Sequence, residues 1–183
     1  MAQDCNSLRD LKPTVMMLLV VAASAAAVKC PGSPAPIHAQ ITLSATASAS
    51  CSDVMAEIKA RVDGQASGTW HDPHNNGKYS ILSAADLELD LSRVTGNGKY
   101  TDKQVLVFSG TGSTCTIEGC SQSQVTSVAD MSTNYCDLRM LYCGSADGCK
   151  PVSHDFAVAE DSLKPSIGAG TDKSACLKTD VVV

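Results

Sequence analysis

The sequence predicts an α+β fold: an N-terminal helix packed on a four- to five-stranded antiparallel sheet, a second short helix inserted before the last strand, and disulfides stapling the whole. Three observations carry this expectation. Residues 51–63 hold one apolar stripe at helical spacing, residues 86–92 alternate strictly between apolar and acidic, and eight cysteines follow a hydrophobic leader.

The leader comes first. Arg9 and Lys12 make a weakly basic start, and in residues 15–28 Ser24 is the only polar side chain. That run has the length of a signal-peptide core and falls short of the ~20 residues a membrane span needs. Small side chains at Ala25 and Ala27 make cleavage after Ala27 the expectation, so residues 1–27 read as a signal peptide. A second possible site follows Ala39. Cysteine parity favours the first, since it removes Cys5 and leaves Cys30, Cys51, Cys115, Cys120, Cys136, Cys143, Cys149 and Cys176. An even set is what a secreted disulfide framework needs, although eight cysteines allow 105 pairings. No Cys-x2-Cys pair is present, which disfavours zinc thiolates and a thioredoxin-like motif. The expected location is therefore extracellular or the lumen of the secretory pathway.

Residues 28–50 are rich in Ala, Ser and Pro and read as a linker. A single disulfide-stabilised domain is then expected over 51–183. In its first helix Cys51, Val54, Met55, Ile58 and Val62 share one face, with Asp53, Glu57, Lys59 and Asp63 opposite. Ser50 or Ser52 caps the start and Gly64 ends it. Cys51 sits on the buried stripe, where it can tie the helix to the body.

Strands follow at 78–82, at 86–92 with Leu87, Leu89 and Leu91 inward, at 104–109 and at 114–118. The echo Asn76-Gly77-Lys78-Tyr79 and Asn97-Gly98-Lys99-Tyr100 reads as turn chemistry used twice. Ser121-x-x-Gln124 resembles a capping box and predicts the second helix, with Val125, Val128 and Ala129 inward. Residues 138–142 read as the last strand. From Val152 onward no period is visible, and the tail is expected to be irregular and tied back by Cys176.

Composition excludes some functions. A net charge of −5 argues against a phosphate-dominated nucleic-acid binder, and 4% aromatics argue against a row of base-stacking rings. No membrane span is expected once the leader is removed. Asp86, Glu88 and Asp90 form an acidic row that fails the Ca²⁺-loop pattern, because Leu91 stands where that loop needs Gly. The residues that stand out chemically are His71, Asp72 and His74. Two imidazoles and a carboxylate suit a metal, a ligand or a general base. Yet Asp72-Pro73 and Asn76-Gly77 also build a tight turn unaided, with Gly77 taking positive φ. The loop is expected to be structural and surface-exposed over Trp70, and no cofactor is expected. The chain thus reads as a secreted, disulfide-stabilised binding or interaction module for an unidentified extracellular ligand or protein. The alternative is a small extracellular hydrolase or metal-dependent enzyme using the His71/Asp72/His74 loop.

Overall fold

The computed structural model describes residues 28–178; the expected signal peptide and its cleavage point lie outside the described residues. Six strands and two helices alternate as β1 (Gln40–Ala47), α1 (Cys51–Ser67), β2 (Lys78–Ala85), β3 (Glu88–Val94), β4 (Thr101–Ser109), β5 (Cys115–Ser123), α2 (Thr133–Tyr142) and β6 (Val158–Pro165). The strands form one sheet in the order β2-β3-β4-β5-β1-β6. Every pairing is antiparallel. The α+β class therefore holds, with six strands instead of four or five and with a strand, not a helix, as the first element.

That first strand lies inside the segment expected to be linker. Ile41, Leu43, Ala45 and Ala47 point into the core, and Gln40, Thr42, Ser44 and Thr46 point away. The period-2 pattern was hidden because the side chains are small. Small inward residues suit a strand that pairs with β5 on one side and β6 on the other while a helix packs over it.

Helix α1 starts where its apolar stripe predicts. Ser50 accepts a hydrogen bond from the Asp53 backbone N–H, and the helix runs through Gly64 to a left-handed Gly68 cap. Glu57, expected on the outer face, is buried. Its carboxylate pairs with Arg61 at 2.8 Å and accepts the backbone N–H groups of Ser153 and His154. Arg61 in turn donates to the carbonyls of Met140 and Cys143. One buried ion pair thus pins α1 to both the 150s loop and the end of α2.

The second helix is displaced from the predicted position. Residues 121–123 continue β5, Val128 is exposed, and the helix is the segment expected to contain the last strand. The outer strand β6 comes from the expected irregular tail. Helix α2 is buried on all sides, so it lacks the polar face that gives a helix its visible period.

Both helices cover one face of the sheet, over a core that includes Ile58, Leu89, Leu106, Phe108, Ile117 and Leu138. The opposite face is crossed by residues 30–38. Ser33 Oγ donates to the Ser123 carbonyl, and Gln124 Nε2 donates to the Gly32 carbonyl. Four disulfides fix this arrangement: Cys30–Cys120, Cys51–Cys115, Cys136–Cys176 and Cys143–Cys149. Cys51–Cys115 ties the buried stripe of α1 to β5, and Cys30–Cys120 ties the N-terminal segment to the far face. Irregularities interrupt both edge pairings, at Ile81/Ser83 and Ser44/Ala45. Bulges of this kind discourage edge-to-edge association.

Candidate functional site

The loops 71–77, 95–100, 124–132 and 166–172 meet at one end of the molecule. Asn75 O accepts the Gly96 N–H, and Gly168 O accepts the Asp130 N–H. Beneath them lies a buried ionic cluster built on Arg93. The strand alternation that buries Leu89 and Leu91 also turns Arg93 inward. Its Nε donates to Asp72 Oδ2 at 2.7 Å, and its Nη2 donates to the His74 carbonyl. The guanidinium lies over the Tyr79 ring, 5.5 Å from the centroid. Gly77 is required here because a Cβ would collide with the guanidinium. Positive φ is taken by Asn75 and Asn76 instead of by Gly77, which corrects the expectation for this turn.

The His71/Asp72/His74 loop is therefore not surface-exposed as a unit. His71 is exposed, whereas Asp72 and His74 are fully buried. Asp72 is occupied by Arg93 and by the His74 backbone N–H. His74 Nδ1 donates to the Ala175 carbonyl, and its Nε2 accepts from Asn75 Nδ2. Those partners select the neutral imidazole. Burial lowers its pKa to about 4. Trp70 packs under the loop, as its apolar bulk requires. His38 is bound to the Ala35 carbonyl and Gln122, and His154 is exposed; neither joins His71 or His74. Among the described residues, no group of three His, Cys, Asp or Glu side chains is placed to hold a metal ion.

Sequence reasoning missed the acids that meet Arg93 from the other side. Asp102 and Gln104 continue the inward series of β4 that ends in Leu106 and Phe108. Asp137 comes from α2. Arg93 Nη1 and Asp137 Oδ1 lie 3.1 Å apart as charges, but they are not aligned to hydrogen-bond. Asp137 Oδ2 accepts from Gln104 Nε2 and Ser121 Oγ, each at 3.2 Å. The Asp102 carboxyl comes within hydrogen-bonding reach of Asp137. Three carboxyls thus crowd one guanidinium, and Asp102 Oδ2, Asp137 Oδ1 and Gln104 Oε1 are buried acceptors without a donor among the described residues.

Electrostatics follow from this crowding. Burial pushes the Asp137 carboxyl well above the usual range; Arg93 opposes the rise and Asp102 adds to it. Burial likewise raises Asp102, against the pull of Ser123 and Arg93 and helped by Asp130. Two adjacent carboxyls in a dry site oppose each other's ionisation, which adds to the rise at Asp137. Burial works against the charge on Arg93, yet Asp137 and Asp72 outweigh it and hold the proton more firmly than usual.

Asp102 lines a small cleft with a free volume of about 30 Å³, together with Thr95, Tyr100, Ser123, Ser127, Asp130 and Thr133. That volume is far below the range for small-molecule sites, and the cleft has room for little more than ordered water. Asp130 at its rim organises the start of α2. Its Oδ1 accepts the N–H groups of Ser132 and Gly170, and its Oδ2 accepts that of Asn134. Met131 and Ser132 beside it adopt left-handed backbone, uncommon for residues other than Gly. The Cys136–Cys176 disulfide holds the 172–177 segment against α2 and thereby closes the floor over His74. The loops that meet here carry exposed apolar side chains, Val128, Met131 and Ile167, and Ile37, whose carbonyl accepts the Ser127 N–H, is exposed as well.

No helix among the described residues is long and apolar enough to cross a membrane. Four disulfides in a small α+β domain fit an extracellular module stabilised by covalent links. Compared with family models, curated proteins and solved structures, the chain matches none.

Proposed function

We infer that this chain is a secreted, disulfide-stabilised recognition domain that meets a partner with the loop end around the Asp102 cleft. The observation that carries the reading is the set of exposed apolar side chains on loops that are held fast. Val128 is 71% exposed and Ile167 is fully exposed. Their loops are anchored by Asp130 and by the Cys136–Cys176 link. Ordered loops that display apolar side chains over a rigid scaffold are the usual form of a protein-binding surface. The leader over 1–27 and the pairing of the remaining eight cysteines support action outside the cytosol. The enzyme alternative built on His71, Asp72 and His74 loses support, because substrate has no route to the sealed Asp72 and His74.

Two measurements test this reading. N-terminal sequencing of the exported protein should find a start between Ser24 and Lys29, and alkylation under denaturing, non-reducing conditions should find no free thiol. A photo-crosslinking residue at position 128 or 167 should capture a partner in the extracellular medium. The same residue at position 42 or 103, on the opposite sheet face, should not. Equal capture from both faces would reject the loop end as the binding surface.

A further inference from the structure

Residues 30–38 form a strap across the sheet face that the helices leave open, and His38 is its last residue. The ring is held at both nitrogens. Nδ1 lies 2.6 Å from the Ala35 carbonyl, which can only accept, so Nδ1 carries a proton. Nε2 lies 2.6 Å from Gln122 Nε2, which can only donate, so the ring is neutral and Nε2 accepts. The same Gln122 nitrogen donates to Gln40 Oε1 at 2.9 Å. Gln122 and Gln40 are register partners on β5 and β1. Gln122 is buried, and its Oε1 has no donor among the described residues. Three side chains from the strap, β5 and β1 thus make one chain of bonds, and both bonds to Gln122 can run in the opposite direction.

We propose that His38, Gln122 and Gln40 form a proton-operated clasp on the strap. In the neutral form the Gln122 amide donates twice. When Nε2 takes a proton from solvent it becomes a donor and can no longer face an amide nitrogen. Turning both amides over restores the chain: Gln122 Oε1 accepts from His38 Nε2 and from Gln40 Nε2, and Nδ1 goes on donating to Ala35. The two ends of an amide have nearly the same shape, so the turn asks little of the packing around it. The number of unpartnered atoms is unchanged, since Gln122 Oε1 gains partners and its nitrogen loses them. The gain is in strength, because both bonds at the ring become charge-assisted and roughly twice as strong. Both contacts are already shorter than neutral hydrogen bonds usually run, a spacing that suits the charged form.

The surroundings of the ring supply no counter-charge. Gln122 from β5, Gln40 from β1 and Ser166, which accepts the Gln40 N–H at the end of β6, are all uncharged. Lys103 on β4 is the register partner of Gln122, and Lys164 on β6 is that of Thr42. Both are exposed cations and oppose a charge on the ring. Among the described residues no carboxylate pairs with it. Hydrogen bonds alone hold the added proton. His38 stands between Ile37, whose carbonyl accepts the Ser127 N–H, and Ala39, whose carbonyl accepts the Ser123 N–H. Stronger bonds at the ring therefore tighten the strap in acid, whether or not the loop end binds a partner.

The test is NMR on the oxidised, nitrogen-labelled protein over a descending pH series. In the neutral form two nitrogens share one hydrogen, so a scalar coupling should connect Gln122 Nε2 with His38 Nε2. On acidification it should vanish, and the side-chain amide signals of Gln122 and Gln40 should shift in step with the ring. The bond from Asn75 Nδ2 to His74 Nε2 is a control of the same kind. Its coupling should outlast that of His38, because burial keeps His74 neutral down to about pH 4. Exchange protection of the Ser123 and Ser127 N–H groups, corrected for intrinsic pH dependence, should rise about fivefold across the transition. Gln122→Met should abolish that rise. A His38 coupling that survives as long as that of His74 overturns the clasp, and so do amide signals that stay fixed while the ring titrates. Protection that falls as the ring takes its proton, or that rises equally in Gln122→Met, overturns the tightening.

Discussion

Two buried ionic clusters grip α2 from opposite sides, and they are solved differently. At the β6 side, Glu160 is surrounded by donors. Tyr135 and Tyr142 hydroxyls donate to it, and Arg139 and Lys173 pair with it at 2.7 and 2.9 Å. At the β3–β4 side, Arg93 is surrounded by acceptors, and three buried oxygens are left without donors. The first cluster is closed, since Glu160 meets four donors and Arg139 pairs with Asp147 as well, at 2.9 Å. The second is open, since its one base cannot serve three acids. A fully satisfied buried network rigidifies the structure, whereas the second carries the cost of its unpaired groups, Arg93 Nη1 among them.

The sharpest way to break this contrast is to remove the single base. Arg93→Met should cost about 3–5 kcal/mol in urea or thermal unfolding, the usual penalty for leaving buried charges unpaired. If surplus acid is the reason, Asp102→Asn with Asp137→Asn in the same chain should recover part of the loss. An Arg93→Met variant as stable as wild type would dissolve the contrast.

Acid titration separates the two sides further. In the unfolded chain His74 gains a proton near 6.5, whereas in the fold it does so only at about 4. Between those values the unfolded state binds more protons, so stability rises with pH and is lost, by up to roughly 3 kcal/mol, as pH is lowered from 6.5 to 4. Denaturant midpoints measured from pH 7 to 4 should show the fall, and His74→Asn should flatten it. Midpoints that are flat in the wild type would contradict a buried neutral imidazole.

Glu160 is next in size. Burial works upward on its carboxyl, but hydrogen bonds from Lys173, Tyr135 and Arg139 outweigh it and hold the pKa below the ordinary 4.5. Its contribution is therefore present above that value and fades as pH falls beneath it. Glu160→Gln should cost about 2 kcal/mol at neutral pH, in the range for charge-assisted hydrogen bonds, and less in acid. The smallest effect is expected at Asp102, and its sign is opposite. A carboxyl with a raised pKa costs stability as pH rises through the interval above its ordinary 3.8. Asp102→Asn should therefore leave neutral-pH stability unchanged or raise it by about 1 kcal/mol. A loss larger than that from Asp102→Asn would mean that the second cluster is closed after all.

The same contrast explains what could be read from sequence. Helix α1 was legible because Cys51, Val54, Met55 and Ile58 bury one stripe against a polar remainder. Strand β3 was legible for the analogous reason, with Leu89 and Leu91 set against Glu88 and Asp90. Strand β1 was not, since alanines and hydroxyl residues mask an alternation that is nonetheless regular. Helix α2 was not, since burial on all sides removes the period. Ser121 looked like a helix cap but serves the core, where its hydroxyl lies 2.9 Å from Asn134 Oδ1 and 3.2 Å from Asp137 Oδ2. The open cluster left one trace. Arg93 falls on the inward parity of Leu89 and Leu91, and Asp102 on that of Leu106 and Phe108. Charged residues in register with buried ones carry a signal, but pairing them needs the register of β3 on β4. Asp137 comes from an element whose position was misread, so its place in the cluster was beyond reach.

The disulfides have an order as well as a location. Cys51–Cys115 lies within the span of Cys30–Cys120, and Cys143–Cys149 lies within that of Cys136–Cys176. Drawn along the chain, the links nest and never interleave, and nothing crosses from the first block to the second. All residues of five neighbouring strands, β2-β3-β4-β5-β1, belong to the first block or end within three residues of it. A chain threaded N-terminus first into an oxidising compartment can therefore close its first two links on a nearly complete sheet before the second pair of links has emerged. Trapping of thiols during export should capture a species linked at 30–120 and 51–115 with four free thiols beyond residue 130; species joining the two blocks should be rare. In such a chain the outer strand β6, with its tyrosine-bound Glu160, would be the last to join the sheet.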